Sequence, residues 1–213
     1  MKTKEITPPL RDLGVSATDD KALWFVRDFE TQALTRRAKV RLLLWRIVDA
    51  LLFKTSLTIF KGWRVWLLRM FGAKIGQHCY VSPKAIIQAP WNFRMGHHSS
   101  LDDFALMKCA NEVIELEDYV SISMGVHIVP DGHDVRARNF AYQHERVIIR
   151  NGCFIGADSY IGKGVEIGQF CVVGAKSVVL KSIPENSIAY GFPCVVHGER
   201  ISKADYMRFR YGQ

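Results

Sequence analysis

The sequence has no CxxC pair and no zinc-knuckle spacing. Its five cysteines, Cys79, Cys109, Cys153, Cys171 and Cys194, are odd in number and widely spread, which argues against a disulfide framework and fits a reducing compartment. No apolar run approaches the roughly eighteen residues of a membrane span, because Arg46, Asp49 and Lys54 punctuate the richest segment, around Leu42 to Phe53. The opening MKTKEITPPLRDLG has neither an apolar core nor a small-residue cleavage site, so it does not read as a signal peptide. These absences predict a cytoplasmic protein, at most peripheral at the inner face of the cytoplasmic membrane. No nucleic-acid-binding motif is present. Acidic residues are scarce in one stretch only: from Arg36 to Lys74 ten Lys or Arg face a single acid, Asp49, and the remainder of a chain of net charge +8 is close to neutral. With 48% apolar and 23% charged residues over 213 positions, the composition is that of one folded domain with a small appendage.

Residues 1–20, with Pro8, Pro9 and the SATDD run, read as a flexible lead-in. Residues 21–73 read as basic amphipathic helices. Val40, Leu43, Leu44, Ile47 and Leu51 form one stripe and Ile59, Trp63, Trp66, Leu67 and Met70 another, with a break near Thr55 to Thr58 and a stop at Gly72. These helices admit packing as a cap on the rest of the fold, contact with an anionic membrane surface through their cations and tryptophans, or, most weakly, nucleic acid.

After Ala73 the period changes. Ile149, Ile155, Ile161, Ile167, Val173 and Val179 are spaced six apart without a break, and glycine follows four of them, at Gly156, Gly162, Gly168 and Gly174. Small or compact residues stand four places after each of the first five aliphatics: Cys153, Ser159, Val165, Cys171 and Ser177. Weaker copies run through Ile75, Val81, Ile87, through Met95, Leu101, Met107 and through Leu116, Ile122, Ile128. Neither a helix nor an ordinary alternating strand generates a period of six. A coil of three short strands does, one hexapeptide per face, with the aliphatic inward. Residues 74–196 are therefore predicted to form a mainly β domain, a parallel β-helix. From Ile128 to Ile149 is 21 residues, not a multiple of six, so 129–147 should leave the coil as an extruded loop, the kind of element that carries chemistry on a rigid scaffold. Residues 197–213 are expected to form a short helix capping the last coil.

Across Leu67 to Val196 the segments FGAKIG, PW followed by MGHHSSL, DGHD, FIGADSYIGKGVEIG, VVGAKSVVLKSIPENS and YGFP resemble the hexapeptide-repeat acyltransferases. The closest likeness is to the maltose, galactoside and nodulation O-acetyltransferase group and to the acetyltransferases of colanic-acid-type exopolysaccharide synthesis. The resemblance implies a left-handed β-helix, a homotrimer with sites between subunits, acetyl-CoA as co-substrate, no metal, and a sugar or lipid-linked saccharide as acceptor. It makes His133 the general base. It places Ala157, Ala175 and the aromatic Phe154 along the donor, and Lys181 near the coenzyme's phosphates. The acceptor-contacting asparagine falls near Lys108, where Asn111 is the nearest candidate.

The chemistry asks for a base on the acceptor hydroxyl, donors for a tetrahedral oxyanion and a slot for the pantetheine arm. Histidine suits the first task because its unperturbed pKa of about 6.5 lies near working pH. Asp131 and Asp134 are candidates to orient the imidazole, Asp134 also to touch the acceptor. Lys181, Lys176 and Arg200 are the cations available to phosphates. His144 and His197 have no spaced partner, and the histidines do not reproduce the three-histidine zinc site of γ-class carbonic anhydrases, which share this architecture. The expected function is O-acetyl transfer from acetyl-CoA to a sugar hydroxyl. A drug or amino acid hydroxyl as acceptor, or a non-catalytic scaffold, are the alternatives.

Overall fold

The structure is a computed structural model describing residues 36–135 and 141–211; the lead-in 1–20, the start of the helical segment and the tip of the extruded loop lie outside the described residues. The chain divides into two units, one of residues 1–34 and 133–143, the other of residues 35–132 and 144–213. The second unit holds a left-handed parallel β-helix. Its first face stacks β1 (Lys74–Ile75), β4 (Phe93–Met95), β7 (Ile114–Leu116), β12 (Val147–Ile149) and β15 (Glu166–Ile167). The second stacks β2 (Tyr80–Val81), β5 (Ser100–Leu101), β8 (Ser121–Ile122), β13 (Phe154–Ile155), β16 (Val172–Val173) and β18 (Ser187–Gly191), and the third β3 (Ile86–Ile87), β6 (Leu106–Met107), β9 (His127–Ile128), β14 (Tyr160–Ile161) and β17 (Val178–Val179).

The six-residue period sets the register. Leu116 pairs with Ile149 and Ile149 with Ile167, Ile122 with Ile155 and Ile155 with Val173, Ile128 with Ile161 and Ile161 with Val179. Each of these side chains is at most 1% exposed, and burying one of this size stabilises the fold by about 1.5–3 kcal/mol. Of the small residues four places on, the cysteines and serines act as corner donors. The Cys153 and Cys171 thiols reach the carbonyls of Gly168 and Pro184, both at 2.9 Å, and the Ser159 hydroxyl reaches that of Gly174 at 3.0 Å. Gly156 is required by proximity: a Cβ there would lie 2.5 Å from the backbone nitrogen of Ala175 in the next coil.

All five cysteines are free, four of them buried and Cys194 partly exposed. Burial pushes the Cys109 thiol up to about 12. Thiolate is the reactive form, so a native-state thiol titration at pH 8 is expected to find Cys194 reacting first and Cys109 silent until unfolding. Rapid labelling of Cys109 in folded protein would contradict this packing.

Helix α1 (Arg36–Val48) continues into a π-helical turn, Asp49–Phe53, and α2 (Lys61–Met70) follows. Gly72, at φ +97°, ends the helical segment in a conformation other residues resist. Strands β1, β2 and β3 each form the edge of a sheet, leaving carbonyls with no further coil to bond. The helices supply the donors: Arg69 to Ile75 O at 2.8 Å, Arg64 to Val81 O at 2.6 Å, and the Trp45 indole to Ile87 O at 2.8 Å. One donor meets each of the three faces. Arg64, fully buried, also donates to the carbonyls of Leu57 and Thr58, and desolvation lowers its pKa from the ordinary arginine value.

Both apolar stripes of the helical segment point largely outward. Trp45, Phe53, Val65, Leu67 and Leu68 fill the coil-facing side, whereas Val40, Leu43, Leu44, Ile47 and Leu51 are exposed, as are Ile59, Trp63, Trp66 and Met70. Only Leu67 of either stripe is buried. The helices carry apolar residues on opposite sides, and the side with the right donors faces the coil.

Two boundaries also differ from expectation. The terminal helix is shorter than 197–213: α3 spans Lys203–Tyr211, and Cys194–Glu199 is instead strand β19, antiparallel to β18. The antiparallel partner takes up hydrogen-bonding groups along the edge of β18 that a helix could not meet. The extruded segment is narrower than 129–147, because Val129 N donates to Ile161 O and Val147 is already buried in β12.

Candidate functional site

Between equivalent inward residues the coil advances by six, except at one corner. From the third face to the first the chain takes eight residues from Ile87 to Met95, nine from Met107 to Leu116 and 21 from Ile128 to Ile149. The extra chain of three successive coils thus gathers along one edge, as insertions in repeat proteins do where a binding face is built. The first insertion is a 3₁₀ turn, Pro90–Asn92, whose Asn92 amide donates to the carbonyls of Cys109 and Ala110 at 2.9 and 3.1 Å in the second. Asn111 stands exposed beside them. The third insertion is a β-hairpin, β10 (Asp131–His133) with β11 (Tyr142–His144).

The root of the hairpin is tied by charge and backbone. His144 Nδ1 lies 3.0 Å from the Asp131 carboxylate, whose side chain is 2% exposed. Glu145 N donates to Pro130 O at 3.0 Å, and Lys163 pairs with Glu145 at 2.5 Å. In the other unit, the His133 ring meets Tyr142 edge-on with centroids 4.3 Å apart. Asp134 N donates to Ala141 O at 2.9 Å, and the Asp134 carboxylate accepts from the Gln143 amide at 3.3 Å.

Asp131, a candidate partner for His133, is therefore engaged by His144, a histidine to which sequence spacing gave no partner. The reason is the pairing of the hairpin arms, which sets the first residue of one opposite the last of the other. His197 likewise has a partner, stacking on Tyr190 at 3.6 Å.

Ala157 and Ala175 occupy consecutive corners between the second and third faces, linked by Lys176 N to Ala157 O at 2.8 Å. Phe154 points outward from β13 on the second face, 41% exposed, and Lys181 is exposed just after β17. Arg200 is not brought to them. Its guanidinium donates to Gly152 O at 2.7 Å and its backbone to Asn186 O at 2.8 Å, at the corner between the first and second faces, because β19 carries the chain back along that edge. Among the described residues no three His, Cys, Asp or Glu side chains gather as a metal site would require.

Residues 146–181 match the bacterial transferase hexapeptide family (six repeats). The Escherichia coli (strain K12) protein WcaF, named as a colanic acid biosynthesis acetyltransferase, is 33% identical over 162 residues, covering 76% of this chain and 88% of that one. The chain belongs to the hexapeptide-repeat acetyltransferases. A galactoside O-acetyltransferase of Lactococcus lactis subsp. lactis (strain IL1403) is 29% identical over 159 residues, 69% of this chain and 72% of its own. In fold, a hexapeptide-repeat acetyltransferase of Vibrio cholerae O1 biovar eltor, solved with acetyl-CoA, superposes with a TM-score of 0.70 at 20% identity, covering 79% of this chain and 91% of that one.

Within the β-helix unit of this hexapeptide-repeat acetyltransferase, Asp131, His144, Glu145 and Lys163 fasten the two ends of the third insertion. The Asp131–His144 pair escaped the sequence because its members lie 13 positions apart; reading the segment as a hairpin, rather than as a loop, is the signal that would have joined them.

Proposed function

We propose that the protein transfers the acetyl group of acetyl-CoA to a hydroxyl of a saccharide, free or lipid-linked, with His133 as general base. The observation that carries this reading is that His133 stands on β10, in the segment where the hexapeptide period is most widely interrupted. The relative named for colanic acid biosynthesis supports the acceptor class. The imidazole takes the hydroxyl proton as the oxygen attacks the thioester carbonyl. The tetrahedral intermediate then collapses, breaking the C–S bond, and the proton passes to the departing coenzyme A sulfur. Asn111 and Asp134 are the acceptor contacts of this reading. The donor runs past Phe154, Ala157 and Ala175, with Lys181 toward its phosphates as a charge-assisted partner, in a homotrimer whose closed symmetry lets one subunit's hairpin serve another's coil.

Incubation with acetyl-CoA and candidate nucleotide-sugar, lipid-linked and free oligosaccharide acceptors, followed by mass spectrometry, is expected to show one acetyl group added to a saccharide. Lys181→Glu is expected to raise KM for acetyl-CoA at least about tenfold, the cost of one charge-assisted contact, with kcat little changed. An unaltered donor KM would remove Lys181 from the site.

A further inference from the structure

We infer that the outer face of α1 and α2 docks on an anionic lipid bilayer. This goes beyond acetyl transfer and does not rest on it. α1 and the π-helical turn that continues it are apolar on two opposite sides: Trp45 and Phe53 are buried, and the exposed Val40, Leu43, Leu44, Ile47 and Leu51 lie on the reverse. By helical periodicity Lys39, Arg41 and Arg46 fall on the flanks between these sides, with Arg36 and Arg37 at the start of the outer stripe. An in-plane interfacial helix has this layout, with an apolar face entering the acyl boundary and cations beside it at headgroup level.

The face continues into α2. The Trp63 indole donates to Leu52 O at 3.2 Å, joining the end of the π-helical turn to α2, and Trp63 and Trp66 stack at 5.0 Å. Tryptophan favours the membrane interface, where one end of the side chain is apolar and the other wet. Helices that merely closed the coil would need the inner face alone.

Charge selects the occupant. Of the ten basic residues from Arg36 to Lys74, Arg64 and Arg69 bond coil carbonyls, Arg41 bonds Phe71 O and lies over Trp91, and Lys54 pairs with Asp49. Arg36, Arg37, Lys39, Arg46, Lys61 and Lys74 remain exposed. A second copy of the same face would set these cations against one another, whereas phosphatidylglycerol-type headgroups offset them.

Full-length protein is floated with vesicles of phosphatidylethanolamine and phosphatidylglycerol, and separately of phosphatidylcholine alone, at low and at high salt. Binding is expected to the anionic vesicles only, and to weaken with salt. Arg36→Gln/Arg37→Gln/Lys39→Gln/Arg46→Gln and, separately, Leu44→Ser/Trp66→Ser should each lower vesicle affinity at least about tenfold, with circular dichroism and turnover on a soluble acceptor unchanged. Wild-type protein that ignores anionic vesicles at low salt would overturn the inference. So would Leu44→Ser/Trp66→Ser reducing the mass seen by light scattering, which would make the face a contact between copies. Because the readout is flotation, failure to find an acetyl acceptor leaves the vesicle result standing.

Discussion

Replacing His133 by alanine is expected to lower kcat by about 100-fold to 10,000-fold, the range in which a positioned general base contributes. The fold should survive. His133 lies beyond the root of the hairpin, and the inward residues Ile128 and Ile149 that bracket the insertion belong to coil strands whose pairing does not involve it. Urea midpoint and oligomeric mass are therefore expected to match wild type, and KM for acetyl-CoA to change little. His144→Ala makes the informative comparison. It leaves the buried Asp131 carboxylate without its imidazole partner, so it should lower stability measurably and turnover less than His133→Ala does. If His144→Ala abolished turnover while His133→Ala spared it, the base would have to be reassigned to the histidine at the root.

Arg64→Ala is expected to be the most destabilising single substitution in the helical segment, by about 3–5 kcal/mol. Its guanidinium serves the carbonyls of Val81, Leu57 and Thr58 and the Ser56 hydroxyl. Truncation strands several acceptors where water enters poorly and leaves a cavity besides. Arg64→Lys keeps the charge, but a single ammonium cannot reproduce a planar fork reaching four partners, so it should fall between alanine and wild type. Urea unfolding of the full chain measures both. A loss below about 1 kcal/mol, the net value of a single ordinary hydrogen bond, would mean that the carbonyls find other partners. For the same reason Arg64 cannot serve as a surface charge in any vesicle experiment.

The β-helix was legible because its inward residues must recur at a fixed interval: a run such as Ile149, Ile155, Ile161, Ile167 has few other uses. The hairpin was legible as the place where that interval fails. What escaped were choices made by tertiary contact. Both sides of the helical segment are apolar, and which one turns inward depends on where Trp45 of α1 and Arg64 of α2 can meet carbonyls of residues many positions away. Turn chemistry escaped as well. Left-handed turns favour glycine and, after it, Asn and Asp, yet His78, His98, Phe104, Tyr119, Phe170 and Lys176 all adopt positive φ. Stacking repays some of that strain: His98 lies between His78 and Tyr119, at 4.9 Å from each, across successive coils. Arg200 and β19 were misplaced together, since the direction of the chain after Pro193 is set by β18 rather than by any local pattern.

A stack of identical rungs has no natural length; each coil offers the next the same ladder it received, so a bare rod is a template for its own extension, within one molecule or between many. Arg69, Arg64 and Trp45 act as terminators at the first rung, one per face, and the reversal of direction from β18 to β19 stops the second face at the other end. Because both stops recognise only the rung they touch, whole coils can be added to or removed from the middle without redesigning either end. The size of the protein is thus set at its extremities, while the interior is free to lengthen in steps of one turn.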